Sequence, residues 1–474
     1  MVVFSTVQYG RFGLTNDFAN ESQAWWAIAH GHLDPYIGGF GVSYWKNNAE
    51  FAMYPLSLLA HIYSQPVVLL WVQETAVVLT EVVAFAWVRK AIERAPGRAR
   101  VPVGPWLALS AVVVLVVNPW VYETIAFDFH FQTISTLFVI LVAYDLWAGR
   151  RRRLWVWVPL VLMCNALGGI CLVGVGISGV LAGRTYRRRS LLIAAVGLAW
   201  FSAMSALGAL GDGGRAFSKT YGYLVGPHHG PVGFGAVVAG ALRHPGAVVH
   251  MAGSHWAVIV SFLVVLGVIG LLSPWGIGMA LVVLLPNVLD GSGSFIRYGA
   301  SFQSWPAMPF ILIGSVMVLI RLLEKGEAAR QVAAVVMALW AALAGSLALV
   351  ALPTLPRAWF WVSPSAAAEL GRVLPEIPAD AEVIVSEPVM GRFGQRSSVY
   401  GMVTDGERFP VDRRPVVFVF GPYESFEKSL TPGGITAATR FVRHRLGARV
   451  IGSGSTVQAY AWSPPPGTTH VRLP

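Results

Sequence analysis

From residue 66 the chain reads as long apolar runs broken by short polar interruptions. Runs at 66–88, 104–126, 132–148, 190–210, 256–272, 275–290, 304–322 and 331–352 match or approach the ~20 residues a helix needs to cross a hydrocarbon core of roughly 30 Å. They predict membrane helices. Residues 154–183 break that scheme: arginine clusters flank them on both sides, so they make an even number of passes. Their length gives only about 45 Å of helix, too little for two crossings. The expectation is a helical hairpin of two short arms turning within the membrane near "NALGG", residues 165–169. Non-helical backbone at that depth is tolerated only against protein or a water-filled cavity, so a polar cavity opening to the outer face is expected. "MVVFSTVQYG" at the start is too short to span and has neither a basic region nor a cleavage site. It reads as the stub of a first membrane helix rather than a signal peptide.

After Pro356 the pattern becomes that of an ordinary globular sequence. "EVIVS", "PVVFVF" and "ARVIGSG" read as short strands and "TAATRFVRHRLG" as an amphipathic helix ending at Gly447. The "GSGS" at 452–455 is a turn between strands and lacks the strand-to-helix context of a dinucleotide fingerprint, which excludes nucleotide binding by that motif. Two domains are expected: 1–356 in the membrane and a small α/β domain at 357–474 that covers the cavity, helps select an acceptor, or simply packs.

Composition agrees with the pattern. The 474 residues are 55% hydrophobic and 12% charged, about half the charge of a soluble domain. A net charge of +11 suggests nucleic acid at first, but the basic residues gather in short clusters between apolar runs. Arg89, Lys90, Arg94, Arg98 and Arg100 form one; residues 150–153, then Arg184 with 187–189, and Arg321, Lys325 and Arg330 form the others. Such clusters stay in the cytoplasm. Counting passes between them puts the "FDFH" turn, residues 127–130, and the tail outside. Cys164 and Cys171 lie in apolar sequence and form neither a disulfide framework nor a metal signature.

Acids are scarce, which makes their positions informative. The first 359 residues hold 14 carboxylates. Eight fall at the outer face by this topology: Asp17, Glu21, Asp34, Glu50, Glu123, Asp128, Asp212 and Asp290. Arg11, Lys46, Arg215, Lys219, Arg243, Arg297 and Arg357 share that face, with His228 and His229. The set suits an anionic, lipid-linked substrate; solvated loop charge is the alternative for each residue singly. Glu74 and Glu81, seven apart in the middle of one span, are either part of a proton path or protonated packing residues. Trp25, Trp26, Tyr36, Tyr44 and Trp45 mark an interfacial helix and loop, or stack on sugars.

"TNDFANESQAWWAIAHG" (15–31), "NNAEFAMYPLSLLAHIY" (47–63), "FDFH" (127–130) and "YGASFQSWPAMPF" (298–310), followed by a small outer domain, resemble the bacterial membrane-protein family catalogued as domain of unknown function 2079. That family is similar to the GT-C superfamily of membrane glycosyltransferases. The resemblance covers nearly the whole chain. It implies a GT-C-like α-helical polytopic protein of about ten or more membrane helices, in the bacterial inner membrane. Its active site would lie at the outer face and use a sugar carried on polyprenyl phosphate. The acidic residue of the first outer loop, the usual base in GT-C enzymes, falls on Asp17; Gln23 matches the polar residue that follows, and Asp128 and His130 carry over from "FDFH". At the hairpin turn, Cys164, Asn165 and Ala166 stand where many family members have Lys-Glu-Asp. That departure admits a non-catalytic or transporter-like protein that binds a lipid-linked anionic substrate.

Transfer from a lipid phosphate needs a base for the acceptor hydroxyl and a clamp for the departing phosphate. Asp17 takes the first role, worth on the order of 10²- to 10⁴-fold. Arg215, Lys219, Arg243 and Arg297 are candidates for the second, and Glu21, Gln23, Glu50, Asn165 and Tyr298 complete the expected substrate site. Asp128 and His130 are either ligands of a divalent cation, with Asp17 and Glu50, or a helix cap. The acceptor is a glycan, lipid or protein.

Overall fold

The structure, a computed structural model, describes residues 1–39, 41–47, 49–95, 111, 113–210, 213–226, 234–292, 302–353, 362–403, 406–422 and 431–474, with backbone alone at 213–216. Its contacts divide the chain into two compact units. The larger holds residues 46–52 and 72–355; the smaller combines residues 1–45, 53–71 and 356–474.

The larger unit is helical. Among the described residues five helices are long and apolar enough to cross a membrane, including α3 (Val67–Arg94), α5 (Phe131–Ala148) and α8 (Arg184–Ala206). The others are Trp305–Glu324 and Glu327–Ala351, and the pair Pro245–Ser254 and Trp256–Leu266, bent by 70°, makes a sixth if it is one span. Residues 104–110 and 112 of the expected run 104–126 lie outside the described residues; its end is α4 (Pro119–Ala126), capped by Asn118, whose Oδ1 accepts from the Trp120 N–H at 3.0 Å. Residues 154–183 are interrupted as expected: α6 (Arg151–Cys164) stops, Asn165 turns to extended backbone, and α7 (Gly168–Ala182) begins. Fourteen and 15 residues give arms of roughly 21–23 Å, each too short for a full crossing.

Small residues bring these helices together. A Cβ on Gly168 would lie 2.5 Å from the Val161 carbonyl oxygen, and Cβ atoms on Gly169 and Gly197 would each collide with the other's carbonyl. Such close approach replaces the hydrophobic drive that lipid does not provide. The arginines after α5 do more than orient the chain. Asp145, fully buried, receives the Trp157 indole N–H at 2.9 Å and lies 3.6 Å from Arg150 and 3.5 Å from Arg153.

In the smaller unit the tail forms a five-stranded sheet in the order β4–β3–β6–β8–β7. The strands are β3 (Glu382–Ser386), β4 (Val399–Met402), β6 (Val416–Phe420), β7 (Arg449–Ser453) and β8 (Gln458–Trp462). β3 lies parallel to both neighbours and is buried throughout, which is why residues 383–385 at its centre are apolar without alternation. The predicted helix appears as Pro432–His444, and "GSGS" falls at the β7–β8 turn. A separate pair, β5 (Arg408–Pro410) with β9 (His470–Arg472), closes the domain. The same unit holds α1 (Val2–Gly10), α2 (Asn16–Ala29) and the hairpin β1 (Tyr36–Ile37) with β2 (Val42–Ser43).

α2 docks on the tail through two glycines. The Gly391 N–H donates to the Leu14 carbonyl at 2.9 Å, and a Cβ on Gly394 would collide with Ser22 and with the Ala19 carbonyl. Arg392 donates to the Tyr9 carbonyl at 3.2 Å and lies 4.3 Å from the Tyr9 ring centroid. Aromatic residues expected at an interface divide by burial: Trp25 and Tyr44 belong to the core, whereas Tyr36 and Trp45 are about half exposed. Trp25 is interior because its indole N–H donates to the Leu56 carbonyl at 2.9 Å.

Candidate functional site

α2 carries three of the expected site residues. Thr15 is its N-cap and accepts, at 3.4 Å, from the N–H of Asp17, which is half-buried in the first turn. Glu21, one turn on, is buried and accepts from the Tyr44 hydroxyl at 3.0 Å. Residues four apart share a helix face, so the two carboxylates lie on one side of α2. Gln23 is tied to backbone at both ends of its amide: Nε2 donates to the Ser397 carbonyl at 2.9 Å and Oε1 accepts from the Gly38 N–H at 3.3 Å.

Asp128 and His130 sit on a turn whose backbone is fixed from another helix. Asp128 is 2% exposed, with φ of +47°, a conformation that Asp tolerates better than most side chains. The buried Gln73 amide of α3 holds the turn, donating to the Asp128 carbonyl at 2.8 Å and accepting from the His130 N–H at 2.7 Å. His130 holds the N-cap position of α5, and its own side chain makes no capping bond. The His130 ring stacks on Phe302 with centroids 3.5 Å apart. Gln73 was not anticipated; the available signal was a single amide in the apolar run of α3.

Glu50 and Asn165 are brought to one region of the larger unit. The Ala52 N–H donates to the Met163 carbonyl at 2.8 Å, and Ala49 packs with Ala166. Glu50 accepts from the Asn47 amide at 3.3 Å, and Asn165 Oδ1 accepts from the Gly168 N–H at 2.7 Å, capping the second arm. Lys219 and Arg243 are exposed; Arg243 borders an open groove of about 530 Å³ with Tyr223 and His244. Arg297, Tyr298, Asp212, His228, His229, Arg357 and the Arg215 side chain lie outside the described residues. Glu74 and Glu81 are both buried, and Glu81 Oε1 meets no hydrogen-bond partner among the described residues.

The divalent-cation expectation for Asp17, Glu50, Asp128 and His130 is not supported. Among the described residues no group of three or more His, Cys, Asp or Glu side chains is placed to hold a metal ion. Glu50 is committed to Asn47, and the His130 ring is stacked on Phe302.

An α-helical polytopic membrane domain with a small α/β sheet domain defines the class. The chain belongs to the family described as predicted membrane protein (DUF2079), whose model matches residues 23–420. The structure is similar to that of ArnT from Cupriavidus metallidurans bound to undecaprenyl phosphate, with a TM-score of 0.53, 11% identity, and coverage of 97% of this chain and 96% of that one. ArnT from the same organism in the apo state is similar with a TM-score of 0.45 at 14% identity over the same shares. The first likeness shows a shared fold. No curated protein matches the chain.

Proposed function

We propose that the protein is a membrane glycosyltransferase that moves a sugar from a polyprenyl-phosphate-linked donor to a cell-envelope acceptor. The observation that carries this reading is the fold shared end to end with a protein bound to undecaprenyl phosphate, joined to a half-buried carboxylate in the first turn of α2. In this reading residues 1–356 form the membrane-embedded part, the tail lies outside the inner membrane, and the site faces outward. Asp17 takes the proton from the acceptor hydroxyl as it attacks the anomeric carbon. Direct in-line displacement inverts that carbon. Glu21, bonded to Tyr44, supports the same helix face. Lys219 and Arg243, with Arg215 and Arg297, attract the lipid phosphate and stabilise it as it departs.

A second reading, a non-catalytic or transporter-like protein for a lipid-linked anion, draws on the hairpin break. There Cys164 and Ala166 are buried and apolar, and the Asn165 side chain caps α7. Deletion of the gene followed by mass spectrometry of envelope glycans separates the two. The transferase reading predicts loss of a sugar mass, restored by the wild-type gene and not by Asp17→Asn. Restoration by Asp17→Asn to the wild-type level removes Asp17 as the base, and an unchanged glycan profile on deletion favours the second reading.

A further inference from the structure

The smaller unit contains a cleft of about 240 Å³ between the β1–β2 hairpin loop and the rim of the tail domain. Ligand pockets for drug-sized molecules run from about 300 to 1,000 Å³, so this one has room for a single ring rather than a chain. Asn16, Tyr36, Tyr400, Glu407 and Arg408 supply its polar side chains. With Val403, Phe409 and Pro410 beside them, the lining combines apolar and aromatic surface with an amide, one acid and one base, a set balanced in charge.

The cleft is built by close backbone contact. A Cβ on Gly38 would lie 2.5 Å from the Val399 carbonyl oxygen and 2.8 Å from the Tyr400 ring, and one on Gly39 would collide with the Asn20 amide. Only glycine lets the loop approach this closely. The charged pair is held in place: Glu407 accepts from the Val403 N–H at 3.0 Å, and Arg408 lies 2.9 Å from His470 Nδ1.

One side chain here retains unused hydrogen-bonding capacity. The Asn20 amide is wholly buried beneath Gly39, and neither its oxygen nor its nitrogen has a partner among the described residues. Tyr400 is 6% exposed and lines the cleft. Burial, followed by the nearby Glu382 carboxylate, pushes the Tyr400 phenol up, so it stays protonated and both donates and accepts. Buried polar groups without partners are rare in folded proteins and call for an explanation.

We infer that the cleft binds one neutral sugar ring, the apolar face of the ring lying on Tyr36 and its hydroxyls meeting Tyr400, Asn16, Glu407 and Arg408. The C–H face of a pyranose complements the negative face of an aromatic ring, and Tyr36 is 57% exposed and open to a ligand. One acid and one base recognise vicinal hydroxyls as acceptor and donor, whereas a phosphate would meet Glu407 as a like charge. Asn16 precedes Asp17 in the same helical turn. On the transferase reading, on which this assignment of role rests, the bound ring is therefore part of the acceptor.

The test is saturation-transfer NMR on the detergent-solubilised full chain with methyl glucoside, methyl galactoside, methyl mannoside and N-acetylglucosamine. At least one sugar is expected to bind, with affinity about tenfold or more weaker in both Tyr36→Ala and Arg408→Gln. Both substituted side chains are exposed, so the variants are expected to fold. Binding of none of the four sugars, or equal binding by both cleft variants, overturns the site. Sugar binding without any sugar transfer leaves the cleft standing and removes the transferase reading.

Discussion

Gln73 shows how one side chain far along the sequence fixes a turn that carries two expected site residues. Removing it would leave a buried carbonyl and a buried N–H without their partner, a loss of roughly 1–3 kcal/mol for each group. The sequence pointed to Asp128 and His130 because ionisable residues between membrane-length runs stand out; it did not point to Gln73, since an amide in an apolar helix has many uses. Glu369 gives a residue-scale prediction in the tail. Its carboxylate accepts from the N–H groups of Ser455, Thr456 and Val457 at 3.0, 3.1 and 3.0 Å. These bonds, that of Thr456 foremost, hold its carboxyl down at about 2. The folded value lies below the unfolded one of about 4.3, so its stabilisation is full above that pH and is lost as pH falls toward 2. Hydrogen exchange should show faster exchange of those three amides in Glu369→Gln at neutral pH, the difference from wild type shrinking as the pH is lowered through that window. Equal protection at neutral pH would contradict the role given to Glu369.

At the scale of elements, legibility follows the strength of the physical constraint. Lipid requires every backbone group of a spanning segment to be satisfied internally, so α3, α5 and α8 stand out as apolar runs, and the break at Asn165 follows from chain length alone. β6 and the centre of β3 were readable because burial on both faces makes them apolar without alternation. β4, β5 and β9 are three or four residues long and leave no periodic trace. The docking of α2 was not readable, since its partners lie far off in sequence: Gln23 and Ser397 are 374 residues apart. Gly394 is the sensitive point of that contact. Gly394→Ala forces a methyl group against Ser22 and the Ala19 carbonyl, an overpacking expected to cost about 1–3 kcal/mol. A lowered thermal midpoint and faster proteolysis within 1–45 and the tail should result, and wild-type resistance would show that the α2 contact is looser than described.

For the whole molecule, the smaller unit joins the first residues to the last. Asp17, Glu21 and the cleft are thus held by the same unit as the tail sheet, whereas Asp128, His130, Glu50 and Asn165 belong to the larger one. Composition and the arginine clusters made the membrane class legible, but no local pattern announces that the tail packs with the N-terminal helices. The transferase reading requires that this architecture turn a lipid-linked sugar into a glycosylated acceptor with release of the carrier. The most direct measurement reconstitutes the purified chain in liposomes with a polyprenyl-phosphate sugar and acceptor extract and follows free polyprenyl phosphate by mass spectrometry. Wild-type protein should release it, and Asp17→Asn should do so on the order of 10²- to 10⁴-fold more slowly. No release by wild-type protein, or equal release by Asp17→Asn, would contradict the account.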